Sequence, residues 1–423
     1  MVIFPGILSG LGVNYYSQGM SVFFKDIAAE LQLSRASTSL AASIGNFEGG
    51  LLAPLTGWLA DKYGPRWVVI TGLCFVIAGL ALMNFISSPW HFYVVWGLMI
   101  GLGLNFGLTI AQDKVLANWF IGKRGLAIGS RFAIIGICGV LVVPLVTWLV
   151  GEYGWRTTCL LWSGIMTAGL FIAWFFIKQQ RPEYYGLLPD GITSETMTVT
   201  DRAAMFDRGM EYAASFDERE YTLKQAFRTP AYWIILVAWA CTMLVYGGFT
   251  IHSIPFLTDT GISRTEAGVM VAMMVFFTIP SRFIGGLLTD RVRKNRLKFV
   301  AAGAFFIQAI GITSYILYQN VTMAYVFLIF YGLGNGAVTP IRLSMGARFF
   351  GRKAFTSILG IMMLFITPVT MISPIYTGWI HDTTGSYINA FIVFASLLVF
   401  AGVLLCFLRP PTLPDSNDIP RIQ

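Results

Sequence analysis

Twelve stretches of this chain stay apolar for the length a helix needs to cross a bilayer, about 20 residues. With soft boundaries they cover 2–24, 36–60, 67–87, 91–118, 125–150, 157–177, 231–256, 265–288, 298–318, 322–346, 355–378 and 387–408. Hydrocarbon offers no hydrogen-bonding partner, so each run must satisfy its own backbone, which a helix does. The expected fold class is therefore all-α and transmembrane. Composition agrees: 56% of the 423 residues are hydrophobic and 12% charged, against about 25% charged in a soluble domain. The net charge of +8 then reads as topology, and no nucleic-acid partner is expected. The first run lacks a basic flank and is longer than a signal peptide's apolar core, so it reads as a retained span. Cys74, Cys138, Cys159, Cys241 and Cys406 all fall in apolar runs without a CxxC pair. They are expected to be packing residues, with no disulfide and no metal.

A long polar stretch at 178–229 divides the twelve runs into two sets of six, and the sets repeat. Leu33-Ser34-Arg35 returns as Ile262-Ser263-Arg264 and Gly57…Asp61 as Gly286…Asp290, both at an offset of 229. Ala117 to Phe120 returns as Ala347 to Phe350 at 230, and Gly101-Leu102-Gly103 as Gly332-Leu333-Gly334 at 231. Trp148 with Gly154 returns as Trp379 with Gly385, also at 231. Five matches in order imply duplication. The expected domains are a first half at 1–178, a linker at 179–229, a second half at 230–408 and a tail at 409–423. Parallel six-helix repeats are a transporter architecture, with substrate held between them at mid-membrane. Lys and Arg place 21 basic residues on the side of the termini and linker against 4 on the other. Both termini are thus expected in the cytoplasm.

Four basic residues remain inside the runs: Lys114, Arg131, Arg282 and Arg342. Arg282 lies eight residues, or ~12 Å, from the charged inner end at Asp290, close to the midplane. A guanidinium there costs a few kcal/mol at least and needs a partner. Thr278 and Gly286 stand one turn away, so no local carboxylate supplies it. An anionic ligand would, and the guanidinium fork matches a carboxylate. The other reading is a structural charge paired with another helix.

Gly57-Trp58-Leu59-Ala60-Asp61-Lys62-Tyr63-Gly64-Pro65-Arg66 resembles the signature loop of the major facilitator superfamily. Asp61 would accept hydrogen bonds from a neighbouring helix N-terminus or from Arg66 and lock one conformation. The second copy at Asp290 lacks the Gly-Pro. Further segments are Ser21 to Ile27, Ala117-Asn118-Trp119-Phe120, Tyr153-Gly154-Trp155-Arg156, Arg181 to Gly191, His252 to Asp259 and Asp382 to Tyr387. These resemble the monocarboxylate transporter family, nearest its bacterial members and related to oxalate–formate antiporters. The resemblance implies a twelve-helix major facilitator fold, two six-helix pseudo-repeats around a central cavity. It also implies transport of small monocarboxylates, with Arg282 on the position of the family's carboxylate-binding arginine. Two departures matter: Gln18 stands where animal members have a lysine, and Thr278 where they have an aspartate. Their proton relay is therefore not transferable.

Other polar groups each have two readings. Asn105, Tyr331 and Asn335 sit at mid-depth in the fourth and tenth runs, which line the cavity in this superfamily. They would bind substrate, or join helices. His252, near the outer mouth, is a candidate proton relay or a hydrated loop residue. Glu48, at mid-depth, would carry the coupling proton or pair with Arg282 in the empty state; a neutral, hydrogen-bonded structural Glu is the alternative. Asp113, Arg131 and Arg342 map to the inner third and form a gate between halves or pair within one half.

The expected protein is a secondary transporter in the cell inner membrane. It would carry lactate- or pyruvate-like monocarboxylates with protons by alternating access, as a monomer and without cofactor. Carboxylate exchange is the alternative. A membrane-embedded carboxylate sensor is disfavoured by the short Pro-rich tail, and an enzyme by the lack of any catalytic set or nucleotide fingerprint.

Overall fold

The computed structural model describes residues 2–33, 35–178, 181–185, 187–191, 202–215 and 220–411; some helical side chains, those of Gln18, Lys25 and Asn46 among them, lie outside the described residues. Helix is the only regular structure among the described residues. Six rods precede the polar stretch. They are α1 (3–30), α2 (Arg35–Tyr63), α3 (Pro65–Phe85) and α4 (Pro89–Trp119), then α5 and α6, which run together as Arg124–Phe176 and divide at Gly154. Six follow: α7 (Pro230–Asp259), α8 (Arg264–Arg291), α9 (Leu297–Leu317), α10 (Val321–Phe350), α11 (Phe355–Thr384) and α12 (Ile388–Cys406). Among the described residues nine helices are long and apolar enough to cross a membrane. The joined α5–α6 counts once there, and α1 and α2 are not among them, so the rods number twelve as expected.

Turn chemistry sets the joints. Gly64 takes φ 88°, which an L side chain resists, and Pro65 opens α3 with its fixed φ. That is the use of the Gly-Pro in the signature loop. Gly154 takes φ 75°, after which Trp155 donates to Glu30 at 2.9 Å and Arg156 donates to Glu30 at 2.7 Å. Arg156 also donates to the carbonyls of Met83, Asn84 and Ile86. The Tyr-Gly-Trp-Arg motif thus ties α6 to α1 and α3. Three wide, π-type stretches interrupt the first half, at Tyr15–Gly19 in α1 and at Tyr93–Ile100 and Asn105–Ile110 in α4.

Each half has its own apolar core. The halves meet along two seams, α2 against α11 and α5 against α8. Small residues permit the approach: a Cβ on Gly57 would strike the Thr356 carbonyl, and one on Gly286 the carbonyl of Gly125. The loops at 60–66, 120–124, 291–296 and 350–354 share one end of the bundle with the linker, here called the linker end. The linker forms helices at Arg202–Ser215 and Leu223–Phe227; residues 216–219 lie outside the described residues. Of the cysteines, Cys138, Cys159 and Cys241 are buried, but Cys74 is exposed, on a face of α3 that the apolar run left unspecified.

Candidate substrate site and gate

Arg282 is carried by α8, and its side chain crosses the α5–α8 seam. Its Nη1 donates to the Phe132 carbonyl of α5 at 3.0 Å. The guanidinium lies against Gly136, whose missing side chain leaves the room: a Cβ there would sit 3.1 Å from Nη1. Tyr246 of α7 stands within electrostatic reach and is 40% exposed. No acidic side chain among the described residues pairs with Arg282. One carbonyl leaves most of a five-donor fork for a ligand. The expected pairing of Glu48 with Arg282 is not formed in this conformation.

The remaining sequence-stated candidates divide. Asn105 spends its amide on the carbonyls of Gly45 at 3.2 Å and Gly101 at 3.0 Å, which stitches α4 to α2. Tyr331 is 1% exposed and packs on Phe249 with ring centroids 5.0 Å apart. It lies inside the second half's aromatic core, with Phe249 and Phe327 against its ring. Asn335 is half-buried. Thr278 donates to the Val275 carbonyl of its own helix at 2.7 Å. His252 has both ring nitrogens in contact: Nε2 lies 3.0 Å from the Pro374 carbonyl and Nδ1 3.3 Å from the Tyr387 hydroxyl. A carbonyl only accepts, so Nε2 carries the proton and Nδ1 accepts from Tyr387.

Glu48 is 6% exposed, and neither carboxylate oxygen has a hydrogen-bond partner among the described residues. The Tyr16 hydroxyl and the Trp96 indole nitrogen nearby are likewise without one.

The candidate gate is the best-defined part. Asp61 ends α2 and reaches the N-terminus of α11, accepting from Ser357 N at 2.8 Å, Ser357 Oγ at 2.6 Å and Thr356 Oγ1 at 2.5 Å. Lys114 of α4 joins it at 2.6 Å and also bonds the Arg352 carbonyl. The carboxylate meets both free N–H groups and the positive end of the helix. The repeat reproduces this across the other seam. Asp290 ends α8 and accepts from Gly125 N and Leu126 N at the start of α5, both at 2.7 Å. The degraded second loop therefore keeps the cap without its Gly-Pro. Arg66 does not bond Asp61, as its place in the loop suggested. Its guanidinium stacks over Trp174 at 4.7 Å, which leaves Asp61 to Lys114. Asp113 and Arg131 pair within the first half, with Arg131 also donating to Ser9 and Leu108. Arg342 faces Asp113 from the second half, its guanidinium 3.3 Å over the Trp239 ring.

Sequence reading gave the linker no role, but it is bolted to this end. Asp190 accepts from three successive amides, Ile121, Gly122 and Lys123, the shortest at 2.8 Å, and from the Tyr212 hydroxyl at 2.9 Å. Glu183 pairs with Arg352 at 3.1 Å, both side chains 2% exposed or less. Arg352 also donates to the Asn118 carbonyl of the first half. The signal was the density of turn formers in Arg181-Pro182-Glu183 and Leu188-Pro189-Asp190-Gly191.

Every hydrogen bond found between the halves among the described residues is at the linker end, save that from Arg282 to Phe132. The molecule is thus a two-half helical bundle closed at one end. The chain belongs to the major facilitator superfamily, whose sequence profile matches residues 7–367 and 254–421. Monocarboxylate transporter 2 of Meriones unguiculatus is 25% identical over 93% of this chain and 81% of that protein. Monocarboxylate transporter 13 of Rattus norvegicus is 24% identical over 96% and 88%. Among solved structures, the proton:xylose symporter XylE shares the fold at TM-score 0.74 and 11% identity, covering 96% of this chain and 95% of that one. The Escherichia coli fucose:proton symporter FucP does so at 0.69 and 15%, covering 96% of each.

Proposed function

We propose that this chain carries small monocarboxylates of lactate or pyruvate size together with protons, by alternating access, as a monomer in the cell inner membrane with the linker end cytoplasmic. The observation that carries the reading is Arg282: a mid-depth cation with one carbonyl contact and no acidic partner among the described residues. A carboxylate arriving from the open end takes the free face of the fork. It also competes for the Nη1 proton now shared with Phe132. That bond spans the α5–α8 seam, so substrate binding bears directly on how the halves sit. The halves 1–178 and 230–408 are the rocking bodies, with 179–229 as their tie and 409–423 as a tail. Asp61 and Asp290 latch the closed end, and Asp113, Arg131 and Arg342 lie behind them. Asn335 and Tyr246 are the further candidates for substrate contact, Tyr331 supporting from behind and Asn105 holding the helices.

Coupling falls to Glu48. Where the movement of the halves brings Glu48 into the field of Arg282, its carboxylate is stabilised as an anion until a second carboxylate arrives; two anions sharing one cation repel, which favours protonation. His252 is the outer relay, reached from the surface through Tyr387 and through His381, which stacks on Tyr387 at 4.3 Å. A second reading is carboxylate exchange. It is favoured by Thr278, whose hydroxyl is held by its own helix where a symporter of the animal type would need an acid.

The test is uptake of labelled lactate, pyruvate, formate and oxalate into proteoliposomes, with and without an imposed proton gradient. Accumulation of lactate or pyruvate only with the gradient is expected. Accumulation only against preloaded carboxylate, indifferent to the gradient, would establish exchange instead.

A further inference from the structure

We infer that the Tyr16 hydroxyl, acting through one water, is the hydrogen-bonding partner of Glu48 in both of its protonation states. This rests on the reading of Glu48 as the coupling carboxylate and adds the residue that positions its proton.

The two groups converge from different helices on one spot. A Cβ built on Gly101 of α4 would lie 3.5 Å from Tyr16 Oη and 3.7 Å from Glu48 Oε2. The oxygens therefore stand no more than about 7 Å apart, yet no direct hydrogen bond joins them. One water bridges polar atoms up to about 5.5 Å apart, a separation that lies within this bound. The spot exists because α2 and α4 touch through glycine: Gly45 lies under the Tyr16 hydroxyl, and Gly97 and Gly101 meet the backbone of Ala41 and Gly45. Both groups are buried and without a protein partner among the described residues. An ionised carboxylate so placed is costly unless a donor reaches it.

Tyr16 is held in place for that task. Its ring stacks on Trp96 with centroids 5.1 Å apart and an interplanar angle of 12°, and Trp96 is fully buried. Tyr16 lies in the π-type stretch of α1, Trp96 in the first of those in α4, and Asn105 opens the second. Such stretches re-aim side chains and recur at functional sites. Few other groups compete among the described residues. From α4 the site is faced by Trp96, Asn105 and the glycines; from α11 by Thr367, against Gly50; α3 brings no titratable group to it. Tyrosine suits the role because its O–H rotates to donate to a carboxylate and to accept from a carboxylic acid. Loading is the transfer of one proton from hydronium to the Glu48 carboxylate, leaving water between the two residues. Release toward the cytoplasm is the reverse.

Tyr16→Phe removes the donor that favours the charged carboxylate. Glu48 then holds its proton to higher pH, and the pH at which proton-driven uptake declines moves up by about one unit. Substrate exchange, which needs no net proton movement, keeps its KM. The direct readout is infrared titration of the protonated Glu48 carbonyl band, identified by its loss in Glu48→Gln. It does not depend on transport. An upward shift of that band's titration in Tyr16→Phe supports the inference. Titration superimposing on that of the unaltered protein overturns it. Loss of the coupling reading looks different: Glu48→Gln would still accumulate substrate on a proton gradient.

Discussion

At the scale of single residues, the site is defined by groups whose partners are missing or shared. Arg282 bonds one carbonyl across a seam, and Glu48 bonds nothing among the described residues. Arg282→Lys keeps the charge but loses the planar fork, so a two-pronged contact to carboxylate becomes a point contact. Losing one charged hydrogen bond of about 2 kcal/mol weakens binding roughly 30-fold. Equilibrium binding of labelled substrate to purified protein checks this, and near-normal affinity in the lysine variant would remove Arg282 from the site. Glu48→Gln is expected to abolish proton-driven accumulation and to spare exchange in preloaded proteoliposomes. If accumulation persists, Glu48 is a structural carboxyl. Arg282 could be singled out from sequence because a lone cation in an apolar run is conspicuous. Tyr16 and Tyr246 could not, because a tyrosine among many aromatic residues carries no mark of where its hydroxyl ends.

Helices and loops carry the proposed gate. The capped N-termini of α5 and α11 each receive one aspartate from the opposite half, and the linker adds a third tie through Glu183 and Arg352. Breaking a buried pair on one side leaves the other charge uncompensated, at a cost of about 3 kcal/mol. Glu183→Gln should therefore loosen the linker end. The expected sign is faster amide exchange over 350–357 and 118–126, by roughly tenfold or more, with no change in exchange at α9 or α12. Unaltered exchange at both segments would mean the linker merely lies against the gate. The sequence marked Asp61 and Asp290 by their repeat, and it gave the cap on a helix N-terminus as one of two options for Asp61. It could not choose between that and Arg66, since both lie within reach of the same loop. Packing chose: Arg66 goes to Trp174, and the α2–α11 seam brings Ser357 to Asp61.

For the whole molecule, the two proposed latches would act on one equilibrium, between the linker end closed and open. Asp61→Asn and Asp290→Asn should each favour opening, and together by the sum of their free energies, since the caps share no partner. Each loses a charged cap of about 1.5–3 kcal/mol, or roughly 10- to 100-fold in the ratio of states. Alkylation of a single cysteine introduced at Ala60 reads the open fraction. A double variant no more reactive than either single one would show that one latch alone holds the end. Substrate binding measured with the far end accessible should weaken only in proportion to the closed fraction lost.

Length and apolarity alone determined the helical class, because a bilayer leaves a spanning chain few ways to satisfy its backbone. The offset near 230 residues determined the two-half plan, and an arginine without a local acidic partner marked the candidate site. Tertiary structure decided which partner each charge takes. Asp113 bonds Arg131 while Arg342 faces it from the other half, Asp61 chose Lys114 and the α11 N-terminus, and Glu183 and Asp190 turned a polar stretch without assigned chemistry into a clasp. These choices depend on distances of a few ångströms between segments far apart in the chain. Hydropathy and spacing report depth along a helix, but not the direction a side chain takes around it or the neighbour that waits there.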